Sequence, residues 1–143
     1  MKVNVIIDPT REEEVIVFTH RRTELVEEIE RLVSQKPLEL VGFLGEERAI
    51  LSYVKVSRFT VEDGKTYAYV GERRYRIKQR LYQIEEQVPD CFVRIHQSCL
   101  ANLRQIARFE AAYSGTLRVV FKSGDTDYVS RRNVRHIKER LGV

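Results

Sequence analysis

The chain has 143 residues, 43% hydrophobic and 32% charged, with seven glycines and three prolines. That composition excludes a fibrous or disordered polymer, and the length favours one domain with at most a small extra lobe. No apolar run approaches the ~20 residues needed to span a bilayer, and the N-terminus lacks a signal-peptide pattern, so the expected location is cytoplasmic. Charge is unevenly spread. Residues 1–45 carry 6 Lys+Arg and 9 Asp+Glu, whereas residues 46–143 carry 19 and 12. A basic body behind an acidic head points to an anionic partner such as nucleic acid.

Residues 2–8 alternate apolar and polar (Val3, Val5, Ile7) before Asp8-Pro9 breaks the run, which predicts a strand and a turn. Val15 to Phe18 are mostly β-branched and predict a second strand. From Thr23 to Gln35 the period changes. Leu25, Ile29, Leu32 and Val33 form one stripe of a helix, with Glu24, Glu27, Glu28 and Glu30 on its polar face. Lys36-Pro37 ends it. Residues 1–36 thus read as a β-β-α lobe, expected to pack on the rest of the chain or to form a dimer or partner surface, and residues 37–143 as the main domain.

Leu38, Leu40 and Phe43 predict a strand leading to a turn at Gly45-Glu46-Glu47, and Ala49 to Phe59 is again rich in strand formers. Asp63-Gly64 predicts a tight hairpin, with Thr66 to Val70 returning. Ile77, Leu81, Ile84 and Val88 suggest a helix over 75–87, stopped by Pro89. Phe92 to Ile95 reads as a short strand. Ser98 is placed to cap a brief helical turn carrying Leu100 and Leu103. Leu117, Val119 and Phe121 alternate as a half-buried strand, Ser123-Gly124 turns the chain, and Asp125 to Val129 returns. Ser130 is a candidate N-cap for a last helix with Val134, Ile137 and Leu141 inward and Gly142 past its end. The fold class is mostly β with a few short helices, α+β.

Catalytic readings fail on their own motifs, so no enzyme and no cofactor are expected. Gly64-Lys65-Thr66 resembles the tail of a phosphate-binding loop, but the glycine that motif needs five positions earlier is Phe59. Glu85 and Glu86 are adjacent on a predicted helix and point about 100° apart, a poor acid/base pair. Cys91 and Cys99 with His20, His96 and His136 have no metal-ligand spacing, so free thiols and no metal are expected.

The cations carry more. Residues 73–80 hold five Lys+Arg and no acid, and Arg131, Arg132, Arg135, Lys138 and Arg140 crowd the last helix. Arg131 and Arg132 fall in its first turn, where the helix dipole disfavours cations, which suggests that they serve an external anion. Lys65, Gln97 and Arg132 all sit at loop exits and have the reach to address base edges in a groove.

The stretch Phe92-Val93-Arg94-Ile95-His96-Gln97-Ser98-Cys99-Leu100-Ala101-Asn102-Leu103, followed by Ile106, resembles the signature of the LytTR DNA-binding domain family. Tyr128-Val129-Ser130-Arg131-Arg132-Asn133-Val134 resembles its second signature. The resemblance covers about residues 38–143. It implies an elongated stack of antiparallel sheets that inserts loops, not a recognition helix, into successive major grooves of direct-repeat promoter sites, usually as a homodimer. By position, Lys65, His96, Gln97 and Arg132 would read bases. Ser98, Tyr128, Ser130, Arg131 and Asn133 would hold phosphates, and Asn102 would be structural. Most family members carry a receiver domain of ~120 residues in front; residues 1–36 lack its repeated βα units. Some compact members are encoded beside a membrane protein that restrains them, a partner the resemblance implies only in kind. The alternatives are an RNA-binding module and an interaction module for an acidic protein.

Overall fold

The computed structural model describes residues 1–34 and 39–143. The predicted break at Lys36-Pro37 and the start of the first strand at Leu38 lie outside the described residues. The chain forms two compact units, Met1–Gln35 and Lys36–Val143.

In the first unit, helix α1 spans Glu24–Ser34. The Thr23 hydroxyl accepts from the Val26 amide at 3.3 Å, and the Thr23 carbonyl accepts from the Glu27 amide at 3.1 Å. Asp8 closes the predicted turn by accepting from both the amide and the hydroxyl of Thr10. The two predicted strands do not form: residues 2–8 and 15–18 have no ladder. Strand-forming residues need a partner strand, and none of the described residues of this unit supplies one. The helix stripe is also displaced. Val26 is buried, whereas Leu25, Leu32 and Val33 are exposed.

The second unit is built on antiparallel ladders. Seven strands, β1 (Glu39–Leu44), β2 (Glu47–Ser52), β3 (Arg58–Glu62), β4 (Lys65–Val70), β5 (Arg73–Ile77), β6 (Phe92–His96) and β7 (Cys99–Asn102), form one sheet in the order β2-β1-β5-β4-β3-β7-β6. Strands β8 (Ile106–Ala111), β9 (Leu117–Phe121) and β10 (Thr126–Val129) form a second, in the order β10-β9-β8. Helix α2 spans Leu81–Gln87 and α3 spans Arg131–Leu141.

Two cores result. Leu40, Leu51, Tyr53, Phe59, Ala68, Tyr75 and Ile77 line one face of the large sheet and pack with Leu81, Ile84 and Val88 of and just beyond α2. Val93, Ile95, Cys99 and Ala101 join Val119, Phe121, Val129 and Ile137 in the other. Strands β6 and β7 therefore serve both cores with alternate residues. Phe92 and Leu100 face the first, and their neighbours face the second. This explains why all four residues of β7 are buried.

Three predicted elements are corrected. Residues 73–77 are strand, because β5 pairs with both β4 and β1 and buries Tyr75 and Ile77 on one face. Only 81–87 of the predicted helix remains. Ser98 sits in a hairpin turn, and Leu100 lies in β7; the short helical turn comes later, at Leu103–Gln105. Leu141 is 44% exposed, because α3 buries only Ile137 fully. Strand β8, with its alternating Ile106 and exposed Arg108, was not predicted.

Gly42 marks the tightest packing in β1. A Cβ there would stand 2.6 Å from Leu51 Cδ1 and 2.8 Å from Tyr75 Cβ. Gly42→Ala is expected to destabilise the second unit by about 1–3 kcal/mol, read as a lower urea midpoint at unchanged slope.

Candidate nucleic-acid interface

The registers bring three loops to one end of the second unit. Strand β3 runs into the Asp63-Gly64 turn, where both residues have positive φ (51° and 73°), the geometry of a two-residue I′ hairpin. Strand β7 is antiparallel to β3 with Thr60 opposite Cys99, so the Gln97-Ser98 turn emerges at the same end. The Val61 amide donates to the Ser98 carbonyl at 3.0 Å and ties the two turns together. Strand β6 carries a bulge between Arg94 and His96. The bulge leaves the Ile95 carbonyl free of β7, and it accepts from the Ser130 amide at 2.9 Å. That bond brings the start of α3 to the same end.

Lys65, Gln97 and Arg132 are exposed on these loops, and none has a side-chain partner among the described residues. His96 is placed differently. Its Nε2 lies 2.9 Å from Asp127 Oδ1, and its Nδ1 accepts from the Ser98 amide at 3.1 Å. The amide fixes Nδ1 as the acceptor, so the neutral tautomer with the proton on Nε2 satisfies both contacts. The imidazole also stacks on Tyr128, centroids 4.4 Å apart and 7° from parallel. In this structure these contacts hold His96 between Asp127, the Ser98 amide and the Tyr128 ring, and Gln97 is the exposed residue of that turn.

The residues expected at phosphates flank the same end. Tyr128 is half exposed, and Arg131 is exposed at the start of α3. Ser130 stands at the N-cap position, but its hydroxyl accepts from Asn133 Nδ2 at 2.7 Å instead of capping the backbone. Ser98 and Asn133 are half-buried. Asn102 is fully buried and structural. Its Nδ2 donates to Val56 O at 3.0 Å, and its Oδ1 accepts from the Arg104 amide at 3.0 Å.

Sequence reasoning missed the residues that hold this arrangement together. Arg58 of β3 pairs with Asp127 of β10 at 2.7 Å, joining the two sheets, and also donates to Thr126 O. Its guanidinium lies over the Tyr69 ring at 4.3 Å. Both partners of the pair are nearly buried, with side chains 13% and 12% exposed. Burial works to raise the Asp127 carboxyl. Hydrogen bonds from His96 and the Tyr128 amide, with the charge of Arg58, outweigh it and hold the carboxyl below the usual range. The signal was legible: Asp127 shares strand parity with the buried Val129, an acid on the inward side of a strand.

Arg94 was also missed as a brace. It donates to Glu85 at 2.7 Å and to the Gln97 carbonyl at 2.6 Å, pinning the second turn to α2. Arg94→Ala is expected to weaken duplex binding about tenfold while shifting stability by under 1 kcal/mol, measured by titration beside urea unfolding.

His96, Cys99 and Asp127 place their ligand atoms within 4.8 Å of one another. The donor set does not suit a metal. Arg58 already supplies the positive charge at Asp127, and burial, reinforced by Asp127, pushes the Cys99 thiol well up, away from the thiolate a metal needs.

A family model described as the LytTr DNA-binding domain matches residues 47–142, which include all three turns and the Arg58–Asp127–His96 contacts. The chain belongs to the LytTR DNA-binding domain family. Relatives in Staphylococcus aureus strains NCTC 8325 and COL, described as uncharacterized HTH-type transcriptional regulators, are each 30% identical over 146 residues. The match covers 100% of this chain and 99% of theirs. A solved LytTr DNA-binding domain, from a Bacillus cereus protein described as a methyl-accepting/DNA response regulator, superposes with a TM-score of 0.71 at 22% identity. It covers 75% of this chain and 99% of that one. The LytTR fold is a DNA-binding one and not an enzyme scaffold. Among the described residues it contains no helix-turn-helix, since five strands separate α2 from α3. No helix among them is long and apolar enough to cross a membrane.

Proposed function

We propose that this LytTR protein is a sequence-specific transcription regulator that reads successive major grooves of duplex DNA with Lys65, Gln97 and Arg132. One observation carries the reading: three exposed donors without side-chain partners among the described residues, Lys65 at the start of β4, Gln97 on its turn and Arg132 in the first turn of α3, stand at one end of the second unit, where backbone bonds tie their elements to one another. Unpaired Lys, Gln and Arg side chains lose little intramolecular bonding when they meet base edges, and each correct pair gives about 1–3 kcal/mol of discrimination. His96 contributes by holding its turn and Tyr128. Tyr128, Arg131 and the polar groups of Ser98, Ser130 and Asn133 surround these donors and suit phosphate contacts. The amides of Arg131 and Arg132, at the start of α3, add two donors directed at an anion.

On this reading the protein works in the cytoplasm on direct-repeat promoter sites, as a homodimer. Duplex RNA is disfavoured, because its deep, narrow major groove excludes side chains on turns. Selection of bound duplexes from a random DNA pool, repeated with RNA duplexes, tests the proposal. The expected result is a DNA motif with two or three fixed clusters one helical turn apart, bound with a steep loss of affinity as salt rises. Equal recovery of all sequences, or of RNA, would overturn it, and binding only to an acidic protein would favour the interaction module.

A further inference from the structure

We propose that residues 14–20 form an antiparallel β-strand with the same residues of a second copy, centred on Val17, and that this pairing is the dimer contact. The inference rests on, and specifies, the homodimer of the function proposed above.

The first unit cannot account for its own surface. Eleven large apolar side chains between Met1 and Val33 are more than half exposed, led by Phe18 at 94% and Ile7 at 92%. Of these, Val15, Ile16 and Phe18 lie within residues 14–20, and Val17 between them is half-buried. Units below ~40 residues ordinarily need disulfides, a metal or association. Both cysteines lie at 91 and 99, outside this unit, and the metal-capable cluster lies outside it as well. A second copy of the same segment can supply what is missing. The backbone asks for the same thing: residues 15–18 have strand-forming side chains and no ladder partner among the described residues.

The charge pattern favours an antiparallel second copy, and we place its centre at Val17. Glu13 and Glu14 precede the apolar run, and His20 and Arg21 follow it. Antiparallel pairing about Val17 sets Glu13 opposite Arg21, Glu14 opposite His20 and Ile16 opposite Phe18, and each contact occurs twice across the two-fold axis. Glu14 now pairs with Arg11 at 2.6 Å, an exposed contact that costs little to exchange. Parallel pairing would set acid against acid. A hairpin within the chain would set Lys2 against His20. A one-residue slip would set Glu14 opposite Arg21 and leave no residue opposite its own copy, which the cross-linking below distinguishes.

Only a residue on the two-fold axis meets its own copy, which gives a direct test with the full chain. Val17→Cys should form an intermolecular disulfide under mild oxidation at micromolar protein, since directly opposed strand residues have Cα atoms about 4.5–5.5 Å apart, within disulfide range. Glu14→Cys should not, because its two copies would be about 20 Å apart. The unsubstituted chain, with buried Cys91 and Cys99, is the control. In parallel, sedimentation equilibrium should show Glu13→Lys weakening the dimer roughly fivefold. The exchange Glu13→Lys with Arg21→Glu should restore it. A monomeric chain at tens of micromolar, a Glu14→Cys that cross-links as fast as Val17→Cys, or an exchange that restores nothing overturns the pairing. These assays contain no DNA, so their failure leaves base reading by the three turns standing.

Discussion

Asp127→Asn is expected to cost about 3–5 kcal/mol of folding stability, read by urea unfolding at neutral pH. The amide keeps the size of the carboxylate and can still accept from His96. What it removes is the countercharge of Arg58, whose side chain is 13% exposed and whose Nε is already buried without a partner. A guanidinium left alone there is more costly than no ion pair at all. The double change Arg58→Met with Asp127→Leu should therefore be more stable than Asp127→Asn alone, although it removes the same contact. The acid limb of the stability curve should report the same group. Burial alone would raise the Asp127 carboxyl, but the His96 and Tyr128 hydrogen bonds and Arg58 hold it lower than in the unfolded chain. Its contribution is then complete above the unfolded value near ~3.9 and is lost as pH falls through the folded one. Asp127→Asn should flatten the decline below about pH 4. Duplex affinity should fall too, because Asp127 holds His96, which stacks on Tyr128 beside the third turn.

Arg132→Ala and Arg131→Ala are expected to separate reading from holding. Consecutive residues on a helix point about 100° apart, so the two side chains cannot do the same work. Arg131 lies along the loop at Gly115, where an added Cβ would stand 3.6 Å from its Cγ and Cδ. Arg132 has no such neighbour and projects freely. Arg132→Ala should cost about 1–3 kcal/mol on the selected duplex, about 5- to 150-fold, and erase the preference at one base pair. Arg131→Ala should weaken every sequence alike and reduce the slope of log K against log salt by about 0.9, one phosphate contact. Titrations of the selected duplex and a scrambled one at three salt concentrations distinguish the two. If both variants relax the same base pair, the division of labour between them is wrong.

Much of this architecture could be read from local chemistry. Asp63-Gly64 announced its hairpin because few residues accept two successive positive φ angles. The alternation of Leu117, Val119 and Phe121 announced β9. Ser130 to Gly142 announced α3, with a glycine at φ 75° closing it. Errors came where one pattern served two structures. Ile77, Leu81, Ile84 and Val88 have helical spacing, and all four are buried, yet Ile77 belongs to a strand that continues the same apolar surface. Leu100 looked like part of a helical turn because β7 is buried on both sides and lost its alternation. The first unit misled for a different reason: its strand propensity is real, but pairing is not a property of one segment.

The candidate site divided in a similar way. Lys65, Gln97 and Arg132 were identifiable as loop donors from turn chemistry alone. That His96 would be spent on Asp127 was not, since the two are 31 positions apart and meet only once two sheets have packed. The roles of Arg94 and Arg58 as braces depend on partners in other elements.

The two-residue turn at Asp63-Gly64 and the contacts that tie the other two turns to it have an evolutionary corollary. Lys65, Gln97 and Arg132 are exposed and form no side-chain hydrogen bond or ion pair among the described residues, so each can be exchanged without disturbing either core. If these three side chains read the bases as proposed, duplicated copies of this gene would acquire new target promoters by a few codon changes at three sites, while inserting a single residue in the hairpin would swing the first of them out of line.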